Sequence, residues 1–208
     1  MLYKSILNNN IFIINYKCGF STFEHLKYHE KIIQDINLND CINNLDQYNF
    51  YIIVRNPIKR FISYYKDKFI QAPRENKNFD EYSYGLYLNK YFQNYNFNNY
   101  DFTTKKFNIN ILCEMIKNGF DSEDHLVLQS QGEYNQIIEK DHKINIIKME
   151  DKNFNSILCD LFNYNENIID VNNTKNVLFE EIINDENLLY LKKLFNEDFD
   201  KFDYDYSH

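Results

Sequence analysis

A chain of 208 residues with 44% hydrophobic and 17% aromatic side chains is long enough to bury its own core, and should fold despite its many asparagines. Its formal charge of −8 argues against a protein built to grip nucleic acid, which takes a basic surface, but not against a small anionic ligand held in a local positive pocket. Cys18, Cys41, Cys113 and Cys159 form no Cys-x-x-Cys pair and have no histidines clustered with them, which argues against zinc and fits reduced thiols in a cytosolic protein.

No apolar run approaches the roughly 20 residues that cross a bilayer. The opening Met1-Leu-Tyr-Lys-Ser-Ile-Leu runs into Asn8-Asn-Asn rather than the apolar core of a secretory signal. The expectation is therefore a soluble, cytoplasmic protein with no membrane segment. No internal repeat is visible, so one domain over residues 1–208 is expected.

The first apolar run, Ile11-Phe-Ile-Ile14, reads as a buried strand, since continuous runs of this length suit strands covered on both faces. Asn15-Tyr-Lys-Cys-Gly-Phe-Ser-Thr22 follows it. Gly19 permits a tight turn, Lys17 adds a positive charge, and Ser21 and Thr22 add hydroxyls at the start of a helix. That helix is expected to carry Phe23, Leu26 and Ile33 inward. The segment describes a phosphate or sulfate cradle, although the ATP-type GxxxxGK[ST] order is absent because the lysine precedes the glycine. The plainer reading is a turn with an incidental lysine.

Tyr51-Ile-Ile-Val54 repeats the strand pattern. Ile58, Phe61, Ile62, Tyr65 and Phe69 then mark one face of a helix, with Asn56 suited to its N-cap and Pro57 to its first turn. Arg55 falls at the strand end and Ser63 on the helix. A guanidinium can hold a phosphate bidentately and a hydroxyl can complete the site. Singly, each has a plain alternative, a surface ion pair or an ordinary helical serine.

The stretch from Asn94 to Asn110 reads as a loop-rich connection. Ile144-Asn-Ile-Ile147 is the third buried strand. Strand, loop and helix twice over imply an α/β domain with a central, mostly parallel sheet flanked by helices. Ligands in such domains bind beyond the carboxyl ends of the strands, where the two polar segments fall.

Together the two segments resemble the paired signatures of sulfotransferases that use 3′-phosphoadenosine 5′-phosphosulfate (PAPS), most closely the membrane-type carbohydrate branch. That resemblance implies a P-loop-NTPase-like fold. It also implies that Lys17, Gly19, Ser21 and Thr22 hold the 5′-phosphosulfate, with backbone contacts from Cys18 and Phe20. Arg55 and Ser63 would hold the 3′-phosphate. Arg60 and Tyr65 match the pattern, with a structural role left open for them. Weaker blocks follow in family order: His125-Leu-Val-Leu-Gln129, Ile146-Ile-Lys-Met-Glu150 and Asp198-Phe-Asp-Lys-Phe-Asp-Tyr204. The first lacks the family's Trp and Pro, and Asn56 replaces the usual Asp. Residues 74–124 match nothing in the family and form the candidate acceptor-binding segment.

The implied reaction moves a sulfuryl group from PAPS to an acceptor hydroxyl, leaving adenosine 3′,5′-bisphosphate (PAP), and needs no metal. By analogy with phosphoryl transfer, an in-line, loose transition state makes positioning and charge stabilisation dominant. Lys17 is the natural group to stabilise charge on the bridging oxygen. The acceptor needs a general base. His125 is the first choice, and His25, His29 and Glu30 are the others. His25 and His29 share a helix face but lack an evident third metal ligand. Glu150 is read as structural. The expected acceptor is a carbohydrate, which Lys66, Lys68, Arg74 and Lys77 could help to bind. A protein tyrosine or a small alcohol stays open as acceptor. Open alternatives for the chain are an inactive PAP-binding module, a nucleotide-dependent phosphotransferase, and an interaction protein using its Tyr- and Asn-rich middle.

Overall fold

The computed structural model describes residues 1–71, 108–119, 124–164 and 182–206. Five strands form one sheet: β1 (Leu2–Ser5), β2 (Asn10–Ile14), β3 (Ile33–Asp35), β4 (Asn49–Val54) and β5 (Ile144–Lys148), in the order β3-β1-β2-β4-β5. The three strands read from apolar runs are β2, β4 and β5, and they are parallel neighbours, with Ile13 opposite Ile52 and Ile52 opposite Ile146. The sheet is mixed because β1 runs antiparallel to both β2 and β3.

Alternation along the strands sorts side chains onto two faces. Ile11, Ile13, Phe50 and Ile52 pack with Leu38 of α2 (Leu38–Cys41), Ile137 of α5 (Glu133–Ile138) and Phe202. Phe12, Ile14, Ile53 and Ile147 pack on the other side with Phe23 of α1 (Phe20–His25) and with Leu158 and Phe162 of α6 (Phe154–Phe162). β5 departs from the reading of a strand covered on both faces: Ile146 is 43% exposed.

Two other expectations shift. Ile33 does not belong to the first helix. That helix continues through a wider π-type turn over Leu26–Glu30, stops at Lys31 with φ 55°, and Ile33 is buried in β3. The connection read as loop over 94–110 lies largely outside the described residues. Its end starts α4 (Ile109–Lys117), where the Asn108 side chain accepts from the N–H groups of Asn110 and Ile111.

The helix after β4 is α3 (Pro57–Tyr65), as the apolar spacing predicts. Asn56 accepts from Ile58 and Lys59 N–H, both at 3.1 Å, and Pro57 fills the first position, where no donor is missed. Phe61, Tyr64 and Tyr65 of α3 pack with Leu112 and Ile116 of α4, Leu191 of α7 (Asp185–Leu194) and Phe199 of α8 (Asn196–Lys201). This helical cluster brings α8 back toward the carboxyl ends of β2 and β4.

Candidate functional site

The turn after β2 is built on two residues with positive φ. Lys17 has φ 65° and Gly19 has φ 85°, and the Cys18 N–H closes the turn onto the Asn15 carbonyl at 3.1 Å. An added Cβ on Gly19 would meet nothing within 4 Å, so the demand there is conformational rather than steric. Gly19 caps α1 with no side-chain hydrogen bond, which places Ser21 and Thr22 in the first turn of the helix. Ser21 is half-buried and Thr22 is buried. The Lys17 side chain is only 8% exposed, and its ammonium pairs with Asp67 in the π-type extension of α3 (Lys66–Gln71).

The turn after β4 meets this first turn directly. Arg55 Nη1 donates to the Lys17 carbonyl at 3.3 Å. Beyond it, the Asn56 N–H donates to Glu150 Oε1 at 3.0 Å, and Glu150 Oε2 accepts from the Tyr204 hydroxyl at 2.9 Å. Glu150 thus ties the β4 turn to the end of the chain. Burial and the adjoining Glu150 push the Tyr204 hydroxyl well above the ordinary phenol range. Ser63 is buried in the second turn of α3, one turn before Asp67.

Arg60 and Tyr65 are both buried. Arg60 Nη2 donates to the Val127 carbonyl at 2.8 Å and lies 3.9 Å from Asp198 Oδ2, and its guanidinium sits over the Phe195 ring. With 1% exposure, the Arg60 guanidinium lies inside the fold against these partners. Gln129 lies between the two turns, accepting from the Cys18 thiol at 2.9 Å and from the Arg55 N–H at 2.8 Å. Burial pushes the Cys18 thiol up to about 12, against the opposing pull of Arg60 and Arg55. Cys18 is therefore a neutral packing group at physiological pH, not a nucleophile.

His125 is half-buried between two aromatic rings, with Tyr16 at 4.6 Å and Tyr64 at 4.9 Å between centroids. It is thereby brought against the residue preceding Lys17. The other candidate bases group elsewhere along the first helix. His25 stacks on His29 at 4.6 Å and lies 3.5 Å from Glu30, whose second oxygen accepts from the Tyr164 hydroxyl at 2.8 Å.

The order of strand, lysine turn, helix, second strand, arginine and capped helix, closed by a C-terminal helix, extends over nearly the whole chain. The family model described as "Sulfotransferase family" matches residues 9–205. The chain belongs to the sulfotransferase family. No curated protein and no solved structure gives a significant match. The mixed five-stranded α/β sheet flanked by helices is consistent with the sulfotransferase fold, and membership supports a transferase of sulfuryl groups to a hydroxyl-bearing acceptor. Among the described residues of this sulfotransferase, no group of three or more His, Cys, Asp or Glu side chains is placed to hold a metal, and no helix is long and apolar enough to cross a membrane.

Two relationships in the sulfotransferase site are not legible in the sequence. Asp67 against Lys17 had one available signal, its spacing of four residues from Ser63 on a helix already read as lining the site. Gln129 and Asp198 fall in separate family blocks, and nothing in the sequence pairs them. Of the basic residues suggested for acceptor binding, Arg74 and Lys77 lie outside the described residues, as does most of the 74–124 segment.

Proposed function

We propose that this sulfotransferase moves a sulfuryl group from PAPS to a carbohydrate hydroxyl, with Lys17 and the backbone and hydroxyls of Cys18 to Thr22 at the 5′ end. Arg55 and Ser63 serve the 3′-phosphate. The observation that supports this reading is the 3.3 Å hydrogen bond from Arg55 Nη1 to the Lys17 carbonyl. It sets the two cation-bearing turns side by side, as one nucleotide with phosphates at both ends of its ribose requires.

PAPS supplies an already activated sulfuryl group. The chain supplies positioning and charge. Lys17 turns its ammonium from Asp67 toward the oxygen that becomes anionic as the bond to sulfur breaks. His125 takes the proton of the acceptor hydroxyl, its ring held in a fixed plane by Tyr16 and Tyr64. Because His125 is half-buried, it can meet an acceptor entering from solvent.

Thermal melts with PAP and with ATP plus magnesium test the cofactor class, since a ligand that binds only the folded state raises its stability. Stabilisation by PAP, with labelled sulfate passing from PAPS to members of a glycan library, is the expected result. Selective stabilisation by ATP plus magnesium would overturn the reading. PAP binding without transfer to any glycan, tyrosine peptide or small alcohol would identify an inactive PAP-binding module instead.

A further inference from the structure

Gln129 is fully buried, yet all four hydrogen-bonding positions of its amide are used. Oε1 accepts from the Cys18 thiol and the Arg55 N–H. Nε2 donates to the Arg55 carbonyl at 2.9 Å and to Asp198 Oδ2 at 3.2 Å. Chemistry fixes the orientation of the amide. The Arg55 N–H can only donate, so oxygen must face it, and the Asp198 carboxylate accepts, so nitrogen must face that side.

Asp198 is itself fully buried and anchors the backbone on which Gln129 sits. Its two oxygens accept from the N–H groups of Gln129 and Ser130, both at 2.9 Å, and Arg60 stands 3.9 Å away. Asn15, at the start of the lysine turn, donates to the Gln129 carbonyl at 3.3 Å. One residue therefore touches the lysine turn twice, the arginine turn through both its N–H and its carbonyl, and the C-terminal helix through a buried carboxylate.

We propose that Gln129, locked by Asp198, is a positioning residue that sets the separation between the 5′ and 3′ anion-binding turns. The inference rests on the PAPS reading above. It gives the C-terminal helix a task in cofactor recognition without contact to the cofactor. A ligand that bridges both turns profits from their fixed spacing, because its second anion binds at high effective concentration. A ligand with one phosphate engages one turn and is indifferent to the spacing.

The test compares three probes on the full chain by calorimetry: PAP, adenosine 5′-monophosphate and adenosine 3′-monophosphate. Gln129→Met keeps side-chain length and removes the amide. It should weaken PAP about tenfold while changing each monophosphate by less than about twofold, the signature of lost pre-organisation. Cys18→Ala severs only the thiol link and should give the same pattern at about threefold, and it decides the matter should Gln129→Met fail to fold. Equal weakening of all three ligands marks a merely structural residue and overturns the proposal, as does unchanged PAP binding in a folded variant. A parental chain that binds PAP no better than the monophosphates would instead overturn the PAPS reading itself.

Discussion

The ammonium of Lys17 rests against the carboxylate of Asp67, which reaches it from the extension of α3. The cation proposed to stabilise the departing bridging oxygen is thus already engaged by an anion of the chain. With the lysine side chain 8% exposed and the aspartate 23%, the pair is partly screened and worth about 1 kcal/mol. An incoming phosphosulfate must compete with it. Asp67→Asn should therefore tighten PAP binding about fivefold, and it should lower the melting temperature of the ligand-free protein. Calorimetric titration and a thermal melt measure the two effects. Unchanged affinity would mean that Asp67 stays on Lys17 when ligand binds.

Lys17 and Arg55 occupy the two turns but serve different ends of the proposed reaction, so their deletions should separate kinetically. Lys17→Ala removes a charge needed most in the transition state and should lower kcat by about a hundredfold or more, with a smaller effect on PAP affinity. Arg55→Ala removes a charged hydrogen-bonding group from the bound nucleotide and should weaken PAP about tenfold or more. Adenosine 5′-monophosphate should bind the Arg55→Ala protein nearly as it binds the parent. A Lys17→Ala protein turning over at the parental rate would remove the lysine from the mechanism.

Much of this architecture is written in local sequence. The runs Ile11–Ile14 and Tyr51–Val54 announce central strands because both faces of those strands are covered, so no polar residue interrupts them. The lysine and arginine turns are legible because each departs abruptly from an apolar strand into glycine or a cap-and-proline pair. β1 and β3 are not legible. β1 carries Lys4 within four residues, and β3 buries only Ile33 of its three, so neither offers a period long enough to recognise. The contacts that unite the site are harder still. Gln129 meets Cys18 across 111 positions and Asp198 meets Gln129 across 69, and such pairings are decided by how helices pack on the sheet.

Gly19 offers a test of backbone demand separated from crowding. Its φ of 85° strains any residue with a Cβ, while the space around that position is open. Gly19→Ala should cost about 1 kcal/mol through conformation alone. Gly19→Asn should cost less, because asparagine tolerates positive φ better than other residues with side chains. Urea unfolding of the three proteins should rank them Gly, Asn, Ala. Equal losses for Asn and Ala would point to a steric requirement instead.

The buried thiols give the fold an alkaline limb. Burial raises Cys18 and Cys113 to about 12, and raises Cys41 as well, from an ordinary value near 9. The native state therefore keeps these protons over a range where the unfolded chain loses them. Their contribution is whole below the unfolded value and is lost progressively as pH climbs from about 9 toward about 12, because there the unfolded chain binds fewer protons. Tyr3 and Tyr204, raised by burial and by Glu24 and Glu150, act in the same direction at higher pH. The urea midpoint should be lower at pH 10 than at pH 7.5, and Cys18→Ala should reduce that drop by abolishing one titration. In the native protein at pH 8, half-buried Cys159 should alkylate well before Cys18, which is fully buried and held toward its neutral thiol by that burial. Rapid native labelling of Cys18 would show that its turn opens to solvent far more often than its hydrogen bond to Gln129 implies.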